Sequence, residues 1–135
     1  SLAGAKKEAK AIASIFNTQY LIGDNATEST IVQRLPEAGI IHFATHGLFD
    51  DIRGLDSAIA LAPENPNSLS SPLSKGDKTR DGLLTAEEIL GMKINADLVV
   101  LSACDTGRGR ITGDGVIGLS RSLITAGTPS VIVSL

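Results

Sequence analysis

The stretch Leu-Val-Val-Leu-Ser-Ala-Cys-Asp-Thr, residues 98 to 106, decides how the rest of the chain is read. A short apolar run rich in Val and Leu, bounded by polar and Gly-rich sequence, is the pattern of a strand covered on both faces. It ends on Cys104, the one cysteine of the sequence. In open parallel sheets, ligands and reacting groups gather outside the carboxyl ends of the strands, so the position of Cys104 matters as much as its chemistry. Upstream, Ile-Ile-His-Phe-Ala-Thr-His-Gly, residues 40 to 47, reads as a second buried strand over Ile40 to Thr45 that terminates on His46. If the two strands are parallel neighbours, an imidazole and a thiol stand side by side, the arrangement that makes a thiolate.

Working outward, Ala5, Ala9, Ile12, Ala13 and Phe16 recur at helical spacing and predict an amphipathic helix over 5–16. Tyr20 to Gly23 is a short apolar piece stopped by a turn cluster and is read as a strand. A helix begins with capping-type residues at Thr27 and stops before Pro36, which gives a strand–helix–strand unit with the Ile40 strand. Ser57 to Ala62 reads as a short strand. Pro63 to Asp81, almost free of large apolar residues apart from Leu69 and Leu73, reads as an exposed loop. Thr85-Ala-Glu-Glu88 is a capping box. Beyond the Cys104 strand come a Gly-rich loop over 107–115, a helix over 116–126 and a last apolar strand, Val131 to Leu135.

At 135 residues the chain is one domain, 42% hydrophobic and 20% charged, with a core short of aromatics and built from Leu, Ile, Val and Ala. A net charge of -3 offers no basic footprint for nucleic acid or for an anionic membrane surface, and no run is long enough to span a bilayer. The start is charged, without the apolar core of a signal peptide, and a lone cysteine makes no intrachain disulfide, so the expectation is a soluble, cytoplasmic protein. With no terminal helix over the last strand, the chain reads as a domain core truncated at both ends from a larger protein.

Each candidate residue has a plainer reading beside it. A free cysteine is commonly a small buried hydrophobe; the strand-end placement of Cys104 beside a His-Gly strand end is what argues for chemistry. His42 and His46 share parity and could ligate a metal with Cys104 and Asp105, but the spacing of a zinc site is missing, so His42 is read as a hydrogen-bonded core residue and no metal or other cofactor is expected. The run Gly-Arg-Gly-Arg-Ile-Thr-Gly-Asp-Gly resembles a phosphate cradle yet fits neither the dinucleotide nor the P-loop spacing; a loop shaping a cleft beside Cys104 is the simpler reading.

His-Phe-Ala-Thr-His-Gly (42–47), Leu-Ser-Ala-Cys-Asp-Thr-Gly (101–107), Gly-Asp-Gly-Val-Ile-Gly-Leu-Ser-Arg-Ser-Leu-Ile-Thr-Ala-Gly (113–127) and the final Val-Ile-Val-Ser-Leu together resemble the CHAT domain, a caspase-like family of cysteine peptidases with separase among its relatives and TPR repeats as frequent companions. The resemblance runs from about residue 38 to the end. It implies a caspase-like α/β/α sandwich with a mainly parallel sheet flanked by helices. It also implies a cysteine endopeptidase acting on a protein or peptide substrate, with Cys104 as nucleophile, His46 as base, the N–H groups of Gly47 and Cys104 as oxyanion hole, Asp105 beside the substrate, and TPR repeats in the same polypeptide. Independently, a histidine about 50 residues before the cysteine is the caspase spacing, and here the interval is 58 residues. Two departures stand out. The family's tryptophan and further strands after the last strand are missing, and Ser102 occupies the place where Arg- and Lys-specific relatives carry an acid. The Pro63 to Asp81 loop offers self-cleavage points after Lys75, Lys78 or Arg80. The rival expectations are a non-catalytic signalling or scaffold module working through protein contacts, and a hydrolase of a small amide or thioester using the same dyad.

Overall fold

The computed structural model describes residues 3–50, 52–64, 81–105 and 113–134, and for 103–105 the backbone alone. Five strands form one sheet in the order β3-β2-β1-β4-β5: β1 is Ile40–Leu48, β2 Ala58–Ala60, β3 Leu83–Thr85, β4 Leu98–Asp105 and β5 Ser130–Ser134. Neighbours β1, β4 and β5 pair in parallel, whereas β2 pairs antiparallel with β1 and β3 antiparallel with β2. The sheet is therefore mixed, with the expected parallel part running from β1 to the β5 edge.

Parallel register sets the core. Ile41 pairs with Val99 and Val99 with Val131; Phe43 pairs with Leu101 and Leu101 with Val133. Because side chains alternate across a strand, these two rows lie on one face. That face is packed by Ile59 and Leu84 from the outer strands, by helix α3, Ala86–Leu90, and by helix α4, Gly113–Thr125, through Ile89, Leu119 and Leu123. Val99, Leu101 and Leu119 are wholly buried, each removing on the order of 2 kcal/mol of apolar surface from water. The capping box forms as expected: Thr85 Oγ1 accepts from the Glu88 N–H, and the Glu88 carboxylate accepts from the Thr85 N–H. The chain passes from β4 through α4 to β5, the parallel crossover unit of this fold.

Helix α1, Ala3–Ile15, takes the opposite face, where Glu8 Oε1 meets His42 Nε2 at 2.8 Å. Its hold is slight, since Ala13 is its one buried residue and Phe16, just beyond it, stays exposed. The strand expected at Tyr20 to Gly23 is absent. That segment carries a 3-10 turn at Gly23–Asn25 instead, and no strand among the described residues pairs with it. The expected strand–helix–strand unit before β1 therefore does not form, although its helix, α2, Glu28–Arg34, does, capped by Thr27. Strand β3 was not foreseen: three residues running into a capping box carry too little pattern to show. The expected Pro63 to Asp81 loop falls largely at 65–80, and its self-cleavage points Lys75, Lys78 and Arg80 wholly so, outside the described residues. No described helix is long and apolar enough to cross a membrane.

Candidate active site

The site is built by register. His46 on β1 is the direct partner of Cys104 on β4, and Gly47 is the partner of Asp105. In-register positions of parallel neighbours fall on the same face of a pleated sheet, here the face opposite the buried rows of Ile41 and Phe43. The strand expected to stop at His46 continues to Leu48, because β2 returns antiparallel and pairs Gly47 with Ile59 and Leu48 with Ala58. His46 is thus held inside paired backbone rather than on a free end. Next to it, Thr45 Oγ1 donates to the Ala60 carbonyl at 2.6 Å, tying the diverging part of β2 back to β1.

His46 is half-buried. Its Nδ1 is shut off from solvent and has no hydrogen-bond partner among the described residues. A buried ring nitrogen left unbonded costs on the order of 1–3 kcal/mol. His42, four residues back, differs: its Nε2 is bonded to Glu8, the hydrogen-bonded role read from sequence, and no group of three or more His, Cys, Asp or Glu among the described residues could hold a metal. The side chains of Cys104 and Asp105, and residues 106–112 with Arg108 and Arg110, lie outside what the structure describes.

The turn that leaves β1 is shaped by a carboxylate and three glycines. Asp50 accepts the N–H groups of Ile52 and Arg53 at 2.9 and 2.8 Å, and these bonds hold its carboxyl below the usual range. The Asp50 N–H donates to the buried Ser57 Oγ at 3.0 Å. Helix α4 then lies directly against this turn. A Cβ on Gly115 would stand 2.8 Å from Phe49 Cβ, and one on Gly118 would stand 2.6 Å from the Gly54 carbonyl oxygen. Gly115 and Gly118 are therefore packing residues that let α4 approach the loop following His46.

The family model for the CHAT domain matches residues 1–135. The chain is a CHAT domain. Tetratricopeptide repeat protein 28 of Mus musculus and its Homo sapiens counterpart are each 30% identical to it over 156 residues, covering 97% of this chain and 6% of the relative. This CHAT domain thus spans about 6% of the length of the curated relatives it matches, and their printed name carries the TPR association. The α/β architecture, with helices on both faces of a five-stranded sheet, is the caspase-like one that the motifs implied.

Sequence reading missed one buried titratable group. Glu28, at the start of α2, is 2% exposed and accepts the Gly82 N–H at 3.1 Å. Burial, above all, pushes its carboxyl up to about 7, with Glu88, Asp81 and Glu64 adding repulsion and the Gly82 N–H working against them. A glutamate in the first turn of a helix ordinarily reads as a solvated dipole partner, so nothing local signalled its burial.

Proposed function

We propose that this CHAT domain is the core of a cysteine endopeptidase with His46 and Cys104 as its dyad. The observation that carries the reading is the in-register pairing of the two residues next to a buried His46 Nδ1 that has no partner among the described residues. In this scheme His46 draws the proton from Cys104 Sγ. The thiolate attacks the scissile carbonyl carbon, and the N–H groups of Gly47 and Cys104 take up the oxyanion charge. As the tetrahedral intermediate collapses, the C–N bond breaks and imidazolium gives its proton to the leaving amine. Water, deprotonated by His46, then attacks the thioester and releases the acid and the free thiol. Asp105, in register with Gly47, flanks the substrate backbone. The substrate is a protein or peptide, and the setting is cytoplasmic, where the thiol stays reduced.

The test is the rate of Cys104 alkylation by iodoacetamide between pH 5 and 9, in the wild type and in His46→Ala. A thiolate reacting well below the ordinary thiol pKa of about 8.5, with the advantage lost in His46→Ala, is the expected result. An ordinary thiol profile in both proteins overturns the dyad. A second reading, a non-catalytic module acting through protein contacts, draws on the relatives, which are named for their TPR repeats. It predicts that Cys104→Ala leaves the function of the whole polypeptide intact, whereas the peptidase reading predicts its loss.

A further inference from the structure

Four carboxylates meet where the chain leaves β2 and returns to β3. Glu28, in the first turn of α2, is 2% exposed, and its Oε2 accepts the Gly82 N–H at 3.1 Å. Three more acids act on it: Glu64 after β2, Asp81 before β3 and Glu88 on α3. Each of the three is pinned by backbone. Glu64 Oε1 accepts the Ser29 N–H at 3.0 Å, Asp81 Oδ1 the Leu83 N–H at 2.9 Å and Glu88 Oε2 the Thr85 N–H at 2.8 Å. Among the described residues no Lys, Arg or His pairs with Glu28. The backbone around this cluster is stitched together as well. The Leu61 N–H donates to the Gly82 carbonyl at 2.8 Å, the Ala62 N–H donates to the Ala26 carbonyl at 2.9 Å, and Thr27 and Ala62 form a parallel bridge. Gly82 lies at φ +85, and a Cβ there would stand 3.3 Å from the Leu61 carbonyl oxygen and from the Pro63 Cα, so a glycine lets the two stretches come this close.

We propose that the first turn of α2 is a proton-operated clasp: with Glu28 protonated it holds residues 61–64 and 81–82 together, and loss of that one proton to water releases them. The argument is one of unequal environments. In the closed arrangement a Glu28 carboxylate has one N–H donor, little water and three like charges nearby. None of those charges can swing away without giving up its own backbone bond. Once the clasp opens, the same carboxylate is hydrated and away from its neighbours. Ionisation therefore costs more closed than open, so rising pH favours opening until the closed form ionises too. The closed carboxyl, pushed up to about 7 chiefly by burial, sets that upper limit near neutrality. Below it, the protonated carboxyl still accepts the Gly82 N–H and adds no charge to the cluster. The opening is local. The bonds that break, Gly82 to Glu28, Ser29 to Glu64 and Ala62 to Ala26, leave the rows of Ile41, Phe43, Val99 and Leu101 untouched. The proposal is independent of the peptidase reading, which uses none of the four acids.

Amide hydrogen exchange of this chain from about pH 5 to about pH 8, corrected for the intrinsic rate at each pH, tests it. The protection of the Ser29, Ala62 and Gly82 amides is expected to fall on the order of 50-fold between about pH 5 and 7 and then to level off. At every pH it should stay below that of the Val99 and Leu101 amides. In Glu28→Gln, which keeps an acceptor for the Gly82 N–H, the same three amides should show protection that is flat with pH. Wild-type protection that does not change with pH overturns the proposal. So does an equal fall in Glu28→Gln, which would assign the proton to another of the acids. If the three amides match Val99 and Leu101 at every pH, the opening is unfolding of the whole domain, and the clasp is again overturned. The two wild-type comparisons decide the matter even if the variant does not fold.

Discussion

Glu28 is the residue whose environment does most against its own chemistry. Its folded carboxyl, pushed up to about 7 chiefly by burial, lies above the unfolded value of 4.5. The native state therefore holds this proton more tightly than the unfolded chain. The stabilisation is fully present below about pH 4.5 and is lost as the pH rises through 7, a swing of at most about 3 kcal/mol. Glu28→Gln keeps an acceptor for the Gly82 N–H and removes the charge. Its expected outcome is a urea midpoint equal to the wild type near pH 5 and higher than the wild type at pH 8; equal midpoints at both values would show that Glu28 ionises freely. His46 shows the complementary case, a buried ring nitrogen, Nδ1, with no hydrogen-bond partner among the described residues.

At the scale of elements, the contact between α4 and the turn after β1 is the one with least tolerance. Gly118→Ala would push a methyl carbon against the Gly54 carbonyl oxygen and the Gly54 Cα, both backbone atoms that cannot swing aside. Overpacking of this kind costs about 1–3 kcal/mol. Gly113→Ala is the control, since its Cβ would meet only Ile117 Cδ1 at 3.8 Å, an ordinary contact. Thermal melts should show Gly118→Ala several degrees below the wild type and Gly113→Ala level with it or slightly above, through helix propensity alone. Equal melting temperatures for the two variants would mean that α4 shifts away at no cost. The failed strand at Tyr20 to Gly23 belongs to the same scale: its residues have strand character, but a strand needs a partner, and no strand among the described residues pairs with it.

For the molecule as a whole, stability resides on one face of the sheet. The Ile41, Phe43, Val99 and Leu101 rows, with α3 and α4 over them, are sealed, whereas the α1 side leaves Ile40 and Ile132 about half exposed. Leu101→Ala, at the centre of the sealed face and wholly buried, is expected to cost about 2–5 kcal/mol. Glu8→Ala, which removes the His42 tether on the other face, should cost about 1 kcal/mol or less, because that pair is partly open to solvent. Urea denaturation of both variants checks the asymmetry; comparable losses would place as much of the stability under α1 as under α4.

The sequence by itself determined the periodic and the punctuated features: the apolar runs of β1 and β4, the helical face of α1, the capping box at Thr85, and the paired motifs around His46 and Cys104. Each is written within ten or so neighbouring residues, which is the range over which pattern and capping act. Only the tertiary structure decided that His46 and Cys104 fall in the same register row, that β1 runs on past His46 because β2 turns back onto it, and that Gly115 and Gly118 of α4 serve close packing. It alone placed Glu28 in the interior and left Ile40 to His46 of β1 without a second strand partner among the described residues. These depend on which segments, far apart in sequence, come to lie side by side, and no local pattern carries that information.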